Sequence, residues 1–221
     1  MAEAAGLSDA YHETRFAPDP RRAVVWEALW RFHFSRLIAP EQCVLDIGCG
    51  YGNFINTVIA RRRVALDAWP GFPAHVAPGV ETHVGPATEL GFLGDGTVDF
   101  AFASNLFEHL TQAELAALLA SLRPKLAAGG TLNILQPNYR YAYREYWDDY
   151  THVTAWSHTG LADFLAAHGF EVFETQPRFL PLTVKSRLPV SPLLIGLWLA
   201  SPFRPGGKQM FLRARLKTRG A

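Results

Sequence analysis

VLDIGCGYGNFI, residues Val44 to Ile55, places three glycines directly behind an apolar run that contains one acid. Val44, Leu45 and Ile47 read as a buried strand, and Gly48, Gly50 and Gly52 read as the turn that leaves it. Without a Cβ, these residues permit a tight reversal and let ligand atoms approach the main chain. In an open α/β sheet, ligands bind beyond the carboxyl ends of the strands, where this first turn lies, and the next helix offers its N-terminal N–H groups. That helix is predicted from about Gly52 to Ala60. Asp46 precedes the turn. Asp67 closes the next strand about twenty residues on, where an acid can accept hydrogen bonds from both hydroxyls of a ribose. A glycine turn alone is an ordinary strand-to-helix connection; turn and distal acid together point to a nucleoside. The spacing is G-x-G-x-G, and Asn53 stands where a dinucleotide fingerprint needs its third glycine, which argues against a pyrophosphate ligand.

Outward from this stretch, short β-type runs alternate with helical ones. Asp19-Pro20 opens a helix with an N-cap and a first-turn proline, its apolar face carrying Val25, Leu29, Trp30 and Phe32, and Pro40 marks its end. CVLDI, RVALD, ETHV, VDFAFAS, GTLNILQ and FEVFET read as strands, and KQMFLRARLK as a final one. TQAELAALLASL starts on a capping box of Thr111 and Glu114. LADFLAAH is a helix capped by Ser157 or Thr159 and stopped by Gly169. Such alternation predicts βαβ units and a largely parallel sheet covered on both faces. Two segments interrupt it: Pro137 to His158, aromatic and polar, and Pro177 to Gly207, rich in proline and apolar residues. A loop as long as the first is usually functional.

The 221 residues suit a single domain: a helical segment at 1–40, a cofactor-binding core at 41–136, an acceptor-side loop at 137–158 and an apolar insertion at 177–207. A net charge of +1 gives no reason to expect nucleic acid as a partner. Cys43 and Cys49 lack C-x-x-C spacing and read as buried reduced thiols, which predicts a cytoplasmic protein. The stretch MAEAAGLSDAYHETRF has no apolar core of a secretory leader, and no apolar run approaches the roughly 20 residues of a membrane span. VSPLLIGLWLASPF, flanked by Lys185, Arg187, Arg204 and Lys208, is the most apolar passage. Its readings are peripheral membrane contact through 190–204, a homodimer contact, or packing over the sheet.

DIGCGYG with its leading acid resembles the first motif of class I S-adenosylmethionine-dependent methyltransferases. Asp67 matches their ribose acid, VDFAFASNLFEHL (Val98 to Leu110) their fourth-strand motif, and RPKLAAGGTLNILQPN (Arg123 to Asn138) their next helix, glycine turn and fifth strand. The resemblance implies a Rossmann-like, seven-stranded, mostly parallel sheet with an antiparallel last hairpin, and S-adenosylmethionine as cofactor. It places Asp46 on the methionyl ammonium, Gly48, Cys49, Gly50 and Gly52 along the cofactor, Asp67 on its ribose and Trp69 over its adenine. Ser104, Asn105 and Leu106 would sit beside the sulfonium. Many relatives carry an acid for the adenine amino group where this chain has Pro86; Thr88 or the Ala87 backbone would stand in. QPNYRY…YWD…H…S and the C-terminal passages RFLPLTVKSRLP and GKQMFLRARLK are similar to methyltransferases of bacterial glycan and glycolipid assembly, with Thr151 where an acid is expected before the loop histidine.

The implied reaction is O-methylation of a small-molecule or lipid-linked saccharide acceptor. A sulfonium is already a strong donor, so positioning carries most of the catalysis, and a histidine removes the hydroxyl proton. His109 and His152 are the candidates, each with a structural alternative: His109 fixes the next helix start, and His152 bonds Asp148 or Asp149. Glu108, His109, Asp149 and His152 show no tight ligand spacing, so no metal is expected. The remaining histidines, His75 among them, default to packing. Tyr139, Tyr141, Tyr143, Tyr146, Trp147, Tyr150 and Trp156 offer ring faces to a sugar, or anchor the loop by packing. The competing readings are a cofactor-binding but inactive scaffold, marked by affinity without transfer, and an NAD-dependent oxidoreductase, which needs the GxGxxG turn absent here.

Overall fold

The computed structural model describes residues 19–181 and 190–217. Lys185, Arg187, the stretch 1–18 and most of RFLPLTVKSRLP fall outside the described residues. The described chain forms two compact units, 19–87 with 190–203 and 88–181 with 204–217. Its seven strands make a mixed sheet, mostly parallel with an antiparallel final hairpin.

In the first unit, β1 (Cys43–Ile47), β2 (Arg62–Asp67) and β3 (Glu81–Val84) are parallel in the order β3-β2-β1. Every residue of β1 is buried, as its unbroken apolar character requires for a strand covered on both faces. The register sets Asp46 opposite Ala65 and Ile47 opposite Leu66, so both acids end up at the carboxyl edge. Helix α1 (Pro20–Phe32) begins as its sequence dictates: Asp19 accepts the Arg21 N–H at 2.9 Å and Pro20 takes the first position. It buries Val25, Ala28 and Leu29; Trp30 and Phe32 stay half-exposed. Helix α1 ends at Phe32, and a 3₁₀ turn over Phe34–Arg36 follows before Pro40.

The predicted helix after the glycine turn does not form. Residues 51–57 are a run of turns. One α-type bond closes there, Asn56 N–H to Gly52 C=O at 2.9 Å, and Thr57 then switches to Phe54, with its N–H at 2.9 Å and its hydroxyl at 2.7 Å. The Asn56 side chain is drawn away to the Ala77 N–H and the His75 carbonyl. Side chains that bond nearby main chain compete with the helical ladder, and here they prevail.

In the second unit, β4 (Val98–Ser104) pairs parallel with β5 (Leu126–Pro137), and β7 (Gln209–Leu216) runs antiparallel to both β5 and β6 (Phe170–Leu180), in the order β4-β5-β7-β6. Arg213 fastens three strands, donating to Asn133 at 3.1 Å and Glu174 at 3.0 Å. Helix α2 (Gln112–Leu122) carries the complete Thr111–Glu114 capping box. The long loop contains a short helix α3 (Tyr139–Ala142) and a 3₁₀ turn over Tyr146–Asp148. Helix α4 (His158–Ala167) is capped by Ser157, whose hydroxyl accepts the Gly160 N–H at 3.1 Å, and packs on β6.

Helix α5 (Pro192–Ala200), in the first unit, packs against α1, where a Cβ on Gly196 would stand 2.9 Å from the Phe32 ring. It buries none of its residues, and Leu193 and Leu197 are 67% and 60% exposed. Among the described residues no helix is long and apolar enough to cross a membrane. Loss of the α2 cap by Thr111→Ala is expected to cost about 1 kcal/mol, read from the urea midpoint at unchanged m-value.

Candidate active site

The glycine turn is held by the strand beside it. Gly48 and Cys49 donate their N–H groups to the Leu66 carbonyl at 2.8 and 3.2 Å, and Gly50 donates to Asp67 Oδ2 at 2.7 Å. Gly48, Gly50 and Gly52 have φ of 72°, 51° and 65°, the left-handed region that a residue with a Cβ enters at a cost. At Gly52 a Cβ would also press on Asn56 and Val76 at 3.2 and 3.3 Å. The other oxygen of Asp67 accepts the Trp69 N–H at 2.8 Å. Two main-chain donors therefore fix this carboxylate, while each oxygen keeps a second lone pair for a ligand hydroxyl.

Trp69 stacks on His75 with centroids 5.2 Å apart and planes at 20°, and Tyr51 meets both edge-on at 5.0 and 4.7 Å. Tyr51 and His75 escaped the sequence reading; an aromatic inside the glycine turn was the available signal for the first, and nothing local marks the second.

Asp46 is 2% exposed, and its Oδ2 meets no hydrogen-bond donor among the described residues. Burial, then the Asp67 carboxylate, push its carboxyl up to about 8, against an opposing pull from the Ile55 backbone. The same two influences, with Asp46 itself, raise the Cys49 thiol far above its usual range, so Cys49 lines the turn as a neutral group. A buried acid with one oxygen unmet, beside a Cβ-free turn, fits a ligand that brings a cation and closely approaching atoms. Those are the ammonium and backbone-hugging chain of S-adenosylmethionine.

Ala87 and Thr88, both partly buried, lie in the turn past β3. In the second unit, Ser104 ends β4 and Asn105 follows with φ of 49°, a region asparagine tolerates better than most residues. Its N–H reaches the Leu135 carbonyl at 2.8 Å, and its side-chain oxygen accepts from Gln209 at 3.0 Å. Leu106 is half-buried and leads into a 3₁₀ turn over Phe107–His109.

The loop 137–158 is stitched onto that turn. The Glu108 carbonyl accepts the N–H groups of Val153 and Thr154 at 2.8 and 3.1 Å; the Thr154 hydroxyl donates to Leu110, and the Trp156 indole to Phe107 at 3.1 Å. Tyr146 and Trp156 are buried as anchors, while Tyr143, Trp147 and Tyr150 are exposed. Packing thus accounts for Tyr146 and Trp156 and leaves Tyr143, Trp147 and Tyr150 at the surface.

These bonds bring His109 and His152 together, with centroids 4.8 Å apart. The Thr151 hydroxyl spends its single hydrogen on Asp149 at 2.7 Å, so toward His109 Nδ1, 3.0 Å away, it is an acceptor, as is the Thr151 carbonyl at 3.2 Å. Nδ1 must therefore carry the hydrogen, and the lone pair sits on Nε2. Burial chiefly, and then His152, bring His109 down to about 4, so it is neutral at ordinary pH. Thr151 orients His109, with Asp149 behind it, where the family pattern places an acid. The Glu108 carboxyl is wholly buried and pushed up to about 8 by that burial.

Residues 15–175 match the family model described as a methyltransferase domain. The chain belongs to that family. No curated protein matches it. Solved structures share its fold: an S-adenosylmethionine-dependent methyltransferase from Archaeoglobus fulgidus (22% identity, 92% of this chain and 96% of that one, TM-score 0.66), another from Mesorhizobium loti (17%, 85% and 97%, 0.63), and DhpI in complex with S-adenosylhomocysteine (17%, 99% and 95%, 0.62). The chain is a methyltransferase of this Rossmann-like class, and S-adenosylmethionine is the cofactor its turn fits. Within it, Asp46, the glycines, Cys49, Asp67 and Trp69 are the residues that would hold the cofactor.

The raised Asp46 carboxyl has a measurable consequence. It must lose its proton to pair with an ammonium, so affinity for S-adenosylhomocysteine is expected to rise between about pH 6 and pH 8, with proton uptake by the buffer visible in calorimetry. Because its folded value lies above the ordinary 3.8, its contribution to stability is present at low pH and lost as pH rises through about 8. Asp46→Asn should therefore raise Tm more at about pH 9 than at about pH 5 while weakening ligand binding.

Proposed function

We propose that this chain transfers a methyl group from S-adenosylmethionine to a hydroxyl of a small or lipid-linked glycan-type acceptor. The observation that carries the reading is the imidazole pair His109–His152, with His109 oriented by Thr151 and His152 in a loop that also exposes Tyr143, Trp147 and Tyr150. S-adenosylmethionine supplies, when bound, an electrophilic methyl group on a sulfonium. Asp46 would pair with its ammonium, Asp67 would accept from its ribose, and Trp69, backed by His75 and Tyr51, would cover its adenine, with Ala87 or Thr88 at the ring edge. Ser104, Asn105 and Leu106 would border the reacting end. Holding donor and nucleophile in line contributes roughly 7 to 11 kcal/mol.

The acceptor proton goes to an imidazole. His109, brought down to about 4, is a neutral but weak base, and the role of base is assigned to His152 on the acceptor-side loop, with His109 as its uncharged neighbour. The ring faces of Tyr143, Trp147 and Tyr150, in a loop that also carries Arg140, Arg144 and Asp148, suit a polyhydroxylated ring. The lipid-linked form of the acceptor is supported by α5, whose outward leucines, with Phe203 at 76% exposure, would rest on a membrane interface. A second copy of the chain covering the same face would instead make a homodimer.

His152→Ala is expected to lower the rate of methyl transfer by about 10²- to 10⁴-fold with S-adenosylhomocysteine affinity retained. The product is to be identified by mass spectrometry after incubation with labelled donor and fractionated lysate; wild-type turnover in this variant removes His152 as the base. Flotation on anionic vesicles is expected for the intact protein and lost in Leu193→Glu/Leu197→Glu. Failure of the wild type to float, with sedimentation as a dimer, assigns the face to a second copy.

A further inference from the structure

Glu108 presents an unusual combination of burial and chemistry. None of the residue reaches solvent, and neither carboxylate oxygen meets a hydrogen-bond partner among the described residues. Burial pushes the carboxyl up against an opposing pull from its own backbone, and the Asp149 carboxylate adds to the push. A carboxyl group kept dry in this way is costly unless a cation or donor arrives. Glu108, His109 and His152 each offer a ligating atom, and these atoms all lie within 4.8 Å of one another. Ligand atoms sharing one first-row metal ion at about 2.1 Å stand roughly 3 to 4 Å apart, so a small closure brings the three onto one centre.

The surroundings match this use. The hydrogen on His109 Nδ1 is taken by Thr151, whose hydroxyl leans on Asp149. Metal-bound histidines commonly hand their other N–H to a carbonyl or carboxylate, which fixes the ring and strengthens the ligating nitrogen. His152 packs against Tyr146, which bonds the Thr154 carbonyl at 2.6 Å, so the third ligand rides on an anchored part of the loop.

We infer that Glu108, His109 through Nε2, and His152 form a binding site for a divalent transition-metal cation of the zinc or cobalt kind. Two imidazoles and one carboxylate favour such ions over magnesium or calcium, which prefer all-oxygen sets. Three protein ligands leave positions open for water or an acceptor oxygen. The absence of tight ligand spacing in the sequence is no obstacle: Glu108 and His109 are neighbours, and the loop delivers His152 to them. Ion and acceptor proton compete for the same lone pairs, so occupancy and service by His152 as a base exclude each other. The inference stands on the cluster and not on the methyl-transfer reading.

The test is cobalt(II) titration of the full chain, followed by visible absorption, with zinc stoichiometry by equilibrium dialysis and elemental analysis. About one ion per chain is expected, weakened about 10- to 100-fold or more in Glu108→Gln and in His152→Ala. A cooperative thermal unfolding transition with wild-type near-ultraviolet circular dichroism is the check that both variants remain folded. Binding well below one ion per chain, or wild-type affinity in both folded variants, overturns the site. Stoichiometric binding in a chain that methylates nothing sustains the site and overturns only the proposed reaction.

Discussion

The 2.7 Å hydrogen bond from the Gly50 N–H to Asp67 ties the ends of β1 and β2 into one object. It needs Gly50 in the left-handed region and Asp67 turned inward. The Trp69 N–H secures the other oxygen, so the carboxylate is fixed by main chain alone and is indifferent to side-chain rotamers. Asp46 lies close by, and its carboxyl is driven up by burial first and by the neighbouring Asp67 second. The turn thus generates a demand for positive charge and hydroxyl donors together, and an amino-acid-bearing nucleoside answers both.

The second unit solves a different problem, which is to hold an imidazole of a loop with little regular structure against another in the turn after β4. Main chain again does the holding: the Glu108 carbonyl accepts two N–H groups from residues 153 and 154, and the Trp156 indole closes on Phe107. Thr151 then converts this placement into chemistry by fixing which nitrogen of His109 carries the hydrogen. Both devices require the turn after β4 and the loop after β5 to fold together, which explains why so aromatic a loop buries Tyr146 and Trp156 but leaves other rings outside.

What could be read in the sequence was what spacing encodes. Asp46, the three glycines and Asp67 are linked by adjacent strands, so their order along the chain is already their order in space. The Asp19 and Thr111 caps, with an alternative left open at Ser157, were legible because capping is local. The helix after Gly52 was not, because Asn56 and Thr57 spend their side chains on main chain, Asn56 reaching about twenty residues ahead. Strand β6 runs on to Leu180, past the alternating FEVFET, through two register shifts against β7 that no periodicity announces. Thr151 looked like a departure from pattern; only the fold shows it turned on His109 rather than on its neighbour.

Asp46 and Glu108 share a logic that stability alone does not explain. Each is a buried acid lifted to about 8 by burial, and each has at least one oxygen without a donor among the described residues. A well-packed apolar residue in either place would make the folded chain more stable at neutral pH, since an uncompensated buried carboxyl favours the unfolded state as pH rises. Retaining both means that the fold carries two unmet electrostatic demands, one in each unit. Such a demand is weak when the site is solvated and strong when it is dry, because the interior does little to screen a charge. Burial is therefore what makes each acid selective: the cation that reaches it must displace a proton and accept the remaining geometry of the site, glycine main chain around Asp46 and imidazole nitrogens around Glu108.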